Sequence, residues 1–406
     1  MTPTDSRFLD RTTPPTIATL TVLAGVGALG MNVFLPSLPS IARHFGADYA
    51  VAGLAVSMYL AATAVFQLVF GPLSDRYGRR PALLWGFALM VAGSVMCLVA
   101  PSIEWFLAGR IVQGCGIVGL VVSRAAIRDL YGQTDAASVI GYVTMGMSIV
   151  PMVAPAVGGF LEEAFGWQAS FWLMVAAAVL GFTMCYADAG ETNQHKSASI
   201  GAQFKGYPEL VRSRRFWGYC GTMAFASGGF FAFLGGAPYV AETHLELKPS
   251  VYGLYFGITA FGYMTGNFIT GRFAKSLGVA TMLRLGNYAM LAGPTLSLVF
   301  HYLGVHHPAA YFCPLILLGV GNGMTLPSAS AGMISVRPKL AGSAAGLGGS
   351  LQIGGGAALS VLAGLILSPQ TGPAPLFWLM FATGVAAHLA MRYTLRVERE
   401  FEATGQ

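Results

Sequence analysis

Twelve apolar segments fill most of this chain, and no other feature limits its fold so severely. Their expected bounds are 16–36, 50–70, 81–100, 104–124, 137–161 and 167–187, then 216–239, 250–271, 281–303, 309–333, 341–367 and 374–395. Each is close to the roughly 20 residues that carry a helix across the bilayer core, and the fifth and eleventh are long enough to tilt. Composition agrees: 55% of the 406 residues are hydrophobic and 10% charged, where soluble domains carry about 25% charged residues. The 53 glycines suit helices that approach one another closely. The first segment follows Arg7 and Arg11 as a signal peptide would, but it has no small-residue cleavage site, so a retained helix is expected.

One long polar break, residues 188–215, separates six segments from six. The expected organisation is a six-helix half over 1–187, a linker over 188–215, a second six-helix half over 216–395 and a tail over 396–406. The net charge of +6 does not point to nucleic acid, because the basic residues form short runs between apolar segments rather than a stripe. They do point to an orientation. With both termini in the cytoplasm, all but three of the 23 Lys and Arg residues fall inside; Arg43 and Lys248 fall outside and Arg110 lies within a span. The five cysteines all sit in apolar stretches and form no C-x-x-C pair, so no disulfide framework, metal site or cofactor is expected.

Between the second and third segments stands Gly71-Pro-Leu-Ser-Asp75-Arg76-Tyr-Gly78-Arg79-Arg80. Gly71 permits close helix contact and Gly78 a tight turn, while Asp75 can accept from helix N-terminal amides or from the neighbouring arginines. The fourth segment holds Arg110-Ile-Val-Gln113-Gly, a cation that needs a cavity or a partner at that depth, with snorkelling as the alternative. The fifth holds Pro151 and Pro155 followed by Gly158 and Gly159, where missing backbone donors and bare glycines predict a bend against a close neighbour.

These motifs resemble those of the major facilitator superfamily. The ten residues from Gly71 to Arg80 match its G-x-x-x-D-R-x-G-R-R signature throughout, and Arg110-x-x-Gln113-Gly is similar to its R-x-x-Q-G motif. The Pro151–Gly159 segment resembles the antiporter motif of its exporters in the form seen in Bcr/CflA-like drug transporters. So do Leu35-Pro-Ser-Leu-Pro39, Gly166-Trp-Gln168, Gly236-Ala-Pro-Tyr239-Val and Gly321-Asn322-Gly. The resemblance implies an all-α membrane protein of twelve helices in two six-helix halves. It implies alternating-access export of small molecules across a bacterial inner membrane, by a monomer without a cofactor. The Gly71–Arg80 loop would latch the halves on the cytoplasmic side, and Arg110 would govern protonation of a nearby carboxylate.

That carboxylate is missing. Asn32 stands where the family carries a first-helix aspartate, and none of the 17 acids maps to mid-membrane; Glu104 and His388 are the remaining titratable candidates. Proton coupling is therefore left open, and an unpaired Arg110 suggests an anionic or strongly hydrogen-bonding substrate; the quieter alternative is that Arg110 simply bonds Asn32 and helix carbonyls. Expected substrate or coupling residues are Asn32, Arg110, Gln113, Phe230, Tyr239, Asn322 and Gln352. The alternative is a metabolite facilitator or importer on the same scaffold. A membrane-embedded enzyme is disfavoured, because no cluster of His, Cys, Asp or Glu and no ATP-binding loop is present.

Overall fold

The computed structural model describes residues 6–131, 133–193, 207–337 and 340–404. The middle of the expected linker, with His195, Lys196 and Lys205, lies outside these residues, as do Lys339 and the last two residues of the tail. Among the described residues all regular structure is helical. The first half comprises α1 (Ile17–Asn32), α2 (Leu38–Phe45), α3 (Tyr49–Tyr77), α4 (Arg79–Leu98), α5 (Ile103–Gln113), α6 (Val118–Leu130), α7 (Gln133–Phe165) and α8 (Gln168–Asp188). After the short α9 (Tyr207–Val211) come α10 (Arg214–Tyr239), α11 (Pro249–Tyr302), α12 (Pro308–Phe312), α13 (Leu315–Ser335), α14 (Ala341–Ile366) and α15 (Ala374–Thr404).

Twelve crossings follow from these helices. Helices α1 and α2 make one through a 3-10 turn at Leu35–Ser37, α5 and α6 make one through Gly114–Ile117, and α12 and α13 make one. Helix α11 makes two. Its 54 residues would run about 80 Å if straight, far beyond a bilayer core of roughly 30 Å. Gly278, at φ 77° and ψ 159°, breaks it into arms 249–277 and 279–302.

Several helices overrun their expected ends, each for a local reason. The first crossing continues to Phe45 because Pro36 and Pro39 occupy first-turn positions, where a missing N–H breaks no helical bond. Residues 71–77 are not a loop but the last two turns of α3; only Gly78, at φ 113° and ψ 158°, turns the chain. The expected tail from 396 onward continues α15 to Thr404. Helix α7 runs on through Pro151 and Pro155. Side-chain caps begin three helices, with Thr16, Ser102 and Ser213 accepting from the amides three residues on.

Gly278 reveals a repeat that the sequence reading missed. Gly71-x6-Gly78 recurs as Gly271-x6-Gly278, at the same place in the second half and with the same positive-φ, extended-ψ turn. Asp75, Arg76, Arg79 and Arg80 of the first copy are matched by Lys275, Ser276, Val279 and Ala280 in the second, so only the paired glycines carry the signal. Within each half the helices pack on one another, chiefly α1 with α6, α7 and α8 and α4 with α5 and α8, then α10 with α14 and α15 and α11 with α13. The halves meet along two seams, α3 with α14 and α7 with α11.

Candidate transport site

A cavity of 260 Å3 lies between the halves, walled by both. From the first half come Gly27, Met31, Tyr59, Thr63, Met147 and Pro151; from the second come Ser227, Phe230, Phe231, Thr259, Tyr263, Asn322 and Gln352. No Asp, Glu, Lys, Arg or His is among the described lining residues. The wall is apolar and aromatic with scattered neutral polar groups, the usual make-up of a small-molecule site. Three of those polar groups are satisfied by their own half: the Tyr59 hydroxyl donates to the Gly27 carbonyl (3.0 Å), Thr63 to that of Leu60 (2.8 Å) and Ser227 to that of Met223 (3.0 Å).

Arg110 is not in this cavity. It is fully buried inside the first half, where Nε donates to the Ala55 carbonyl and both terminal nitrogens to that of Gly30, each at 3.1 Å. Gln113 accepts a further bond from it and in turn donates to Ser94 (2.7 Å). The guanidinium carbon stands 3.9 Å from the centre of the Phe34 ring and 4.4 Å from that of Tyr59. Carbonyl dipoles and ring faces thus balance a cation with no carboxylate beside it. Tyr59 stands between the two environments, with one partner the arginine and its ring also on the cavity wall. Asn32, equally buried, turns its amide back onto the Ala28 carbonyl (2.7 Å), and its Oδ1 has no partner.

At the face carrying both chain ends, the Gly71–Arg80 motif is bound to its own half and to the start of the linker. Arg79 pairs with Asp75 and with Asp129 (2.8 Å) and donates to Ser74 (2.7 Å). Glu191 reaches the first amides of α4, accepting from Arg79 N (2.8 Å) and Arg80 N (3.3 Å), and any side chain at position 78 would collide with it. Asn193 donates to the Asp75 carbonyl (2.8 Å) and Thr192 to Asp129 (3.2 Å). Glu191, not Asp75, therefore takes the helix N-terminal amides, where a carboxylate meets the positive end of the dipole.

The opposite face is where the halves are tied together. Arg43 of α2 pairs with Glu242, just beyond α10. The Tyr49 hydroxyl donates to the Gly235 carbonyl (3.0 Å), and its ring lies 4.7 Å from that of Tyr239. Glu163 at the end of α7 accepts from Ser250 N (2.9 Å) in the first turn of α11. Below it, a Cβ at Gly159 would collide with the Pro249 carbonyl and one at Gly253 with that of Pro155, so the α7–α11 seam is backbone against backbone. Along α3, the hydrogen bonds and close approaches to the second half span Tyr49 to Gln67, with Ser350 donating to the Ala64 carbonyl (3.0 Å).

A cavity shared by two helical halves, tied at one face, is transporter architecture. Residues 20–358 match the family model described as Major Facilitator Superfamily. The chain belongs to the major facilitator superfamily. Among relatives, it is 30% identical over 378 residues to an uncharacterized MFS-type transporter, YdgK, of Bacillus subtilis, covering 91% of this chain and 93% of that one. It is also 30% identical over 317 residues to a chloramphenicol resistance protein of Pseudomonas aeruginosa, covering 76% and 74%. A solved bacterial homologue of the human lysosomal transporter Spinster, in an inward-facing and occupied conformation, superposes with a TM-score of 0.71 at 16% identity, covering 94% and 96%. That likeness establishes the fold.

On this major facilitator scaffold the expected site residues separate. Phe230, Asn322, Gln352 and Pro151 line the cavity together. Arg110, Gln113 and Asn32 form no part of its described wall, and Tyr239 belongs to the tie at the opposite face. Arg110 is thus neither the cavity cation nor the snorkelling one expected, because Gly30, Ala55 and Gln113 absorb its donors within the bundle. Gly158 and Gly159 face different partners, Val33 in their own half and Pro249 in the other. Glu104 is exposed at the start of α5, and His388 bonds Asn287 (2.8 Å), away from the cavity wall. Asp129, Glu191 and Asn193 were missed as partners of the signature motif; for the last two the signal was the polar triplet Glu191-Thr192-Asn193 after the sixth span.

Proposed function

We propose that this major facilitator is an exporter of uncharged small molecules, working by alternating access with the shared cavity as its transport site. The single observation that carries the reading is that cavity: both halves wall it, and the ties between halves gather at one face. Drug-resistance activity in the Pseudomonas relative supports export as the direction. We place both termini in the cytoplasm of a bacterium, on the positive-inside distribution, and the chain in the inner membrane as a monomer. Residues 188–215 then link the halves on the cytoplasmic side, and the conformation described is the one tied on the outer side.

No Asp or Glu is among the described residues of the cavity wall, which favours facilitated exchange over proton antiport through the first helix. The anionic-substrate alternative loses its basis once Arg110 is placed inside the bundle. Purified protein in vesicles, assayed for counterflow of uncharged, anionic and cationic aromatic compounds with and without a pH gradient, tests the whole reading. Saturable counterflow of the uncharged set is expected, changing less than about twofold with the gradient, and Asn32→Asp should introduce gradient dependence. Absence of counterflow, or equal gradient dependence in wild type and variant, overturns it.

A further inference from the structure

Asn322 is 3% exposed, lines the cavity, and has neither its Oδ1 nor its Nδ2 paired with any protein group. Thr259, on the same wall and 1% exposed, also leaves its hydroxyl unpaired. This sets them apart from their neighbours. Thr63 and Ser227 bond back to carbonyls of their own helices, as hydroxyls in helices usually do. Buried amide groups are nearly always satisfied, and an orphaned one is costly enough to need a reason.

The backbone around Asn322 leaves it no freedom to find a partner by shifting. Helix α13 lies between the two arms of α11, with three of its glycines at close contacts. A Cβ at Gly319 would collide with the Thr259 carbonyl, one at Gly323 with that of Tyr263, and one at Gly321 with that of Gly286. The three glycines press α13 against both arms, and Asn322, between them in sequence, belongs to the cavity wall. The result is an unpaired donor and acceptor on one fixed helix, with the unpaired Thr259 hydroxyl on the same wall as Tyr59, Phe230, Phe231 and Tyr263.

We propose that Asn322 and Thr259 form the specificity-determining socket of the transport site, and that its ligand is an uncharged molecule carrying an amide-type N–H and C=O beside an aromatic or other apolar body. The inference rests on the reading of the cavity as the transport site. A primary carboxamide pairs through two hydrogen bonds at once with a primary amide, lactam or imide, whose N–H and C=O lie on the same side. An ion would have to leave water for a wall without a counter-charge. An ester of the same shape would leave Oδ1 without a donor, and discrimination follows from that loss.

The test is binding of 4-phenyl-2-pyrrolidinone (a lactam, the amide probe), its lactone isostere 3-phenyl-γ-butyrolactone (the ester probe), and benzyltrimethylammonium to purified protein in detergent, read from ligand-induced shifts in thermal unfolding. Wild type should bind the amide about tenfold or more tightly than the ester. Asn322→Leu should abolish that preference, and Thr259→Val should reduce it. Should the leucine variant fail to fold, Asn322→Ser serves in its place, and the wild-type comparison already decides. Equal binding of amide and ester, preference for the cation, preserved discrimination in Asn322→Leu, or no binding of any probe at millimolar concentration each overturn the socket. Counterflow of the same probes in vesicles separates the two proposals. Discrimination without flux sinks transport and leaves the socket, whereas flux without discrimination sinks the socket and leaves transport.

Discussion

At Arg110 a single side chain settles a question about charge. A guanidinium fully inside a helical bundle is tolerable only if every donor is used, and here two helix carbonyls and Gln113 use them while Phe34 and Tyr59 face the cation. The geometry depends on a planar fork, since Nε and the terminal nitrogens serve different helices. Arg110→Lys keeps the charge and loses the fork, leaving at least one carbonyl contact unmade. A loss of roughly 1.5–3 kcal/mol is expected for a hydrogen bond to a charged group, read as a lower unfolding temperature of the purified protein. Cavity binding should be largely kept, because Arg110 is not on the wall; a variant of unchanged stability and lost binding would show the arginine acting in the site instead. The sequence marked Arg110 as unusual but could not say which way it pointed. Helices apolar all round carry no stripe from which their rotation can be read.

At the scale of elements, glycine geometry decides which substitutions are tolerated. Gly278 turns α11 at φ 77° with open space around it, so only its backbone requires glycine. Gly278→Ala should cost about 1–2 kcal/mol for a left-handed residue, while Gly271→Ala, helical and equally uncrowded, should gain roughly 0.5–1 kcal/mol. Unfolding temperatures moving in opposite directions check the pair. Gly159→Val acts differently, by driving α7 away from the Pro249 carbonyl. Overpacking costs about 1–3 kcal/mol, enough to move the ratio of two conformations by about fivefold to a hundredfold. Spin labels across the Arg43 face should report longer distances in this variant. The number of crossings and the signature motif were legible because long apolar runs and dense motifs need no tertiary information. Helix ends were not, as at Pro36, Pro39 and Tyr77, because a first-turn proline or a following glycine is compatible with either a loop or a helix. Of the site, Phe230, Asn322 and Gln352 were legible as polar or aromatic residues within spans, whereas Thr259 was not, since its missing partner exists only in three dimensions.

For the whole molecule, the tied face is held by contacts individually weak enough to release. Arg43 and Glu242 are both partly exposed, and such pairs contribute about 0–1 kcal/mol. That suits a tie that must open in every cycle. Arg43→Glu should shift the balance toward separation at this face by up to about fivefold, and the exchanged pair Arg43→Glu with Glu242→Arg should restore it, both read from spin-label distances; failure of the exchange to restore would mean the pair does not hold the face. The uncharged cavity wall has a consequence of another kind. Moving one elementary charge through 100 mV changes the energy by about 2.3 kcal/mol, so a carrier with charged walls runs faster in one direction whenever the membrane is energised. With no Asp, Glu, Lys, Arg or His among the described residues lining this cavity, the return of the empty carrier and the passage of an uncharged cargo carry the same electrical work, which is close to none. Voltage would then neither drive nor brake the cycle, and the cargo's own concentration ratio would set its direction.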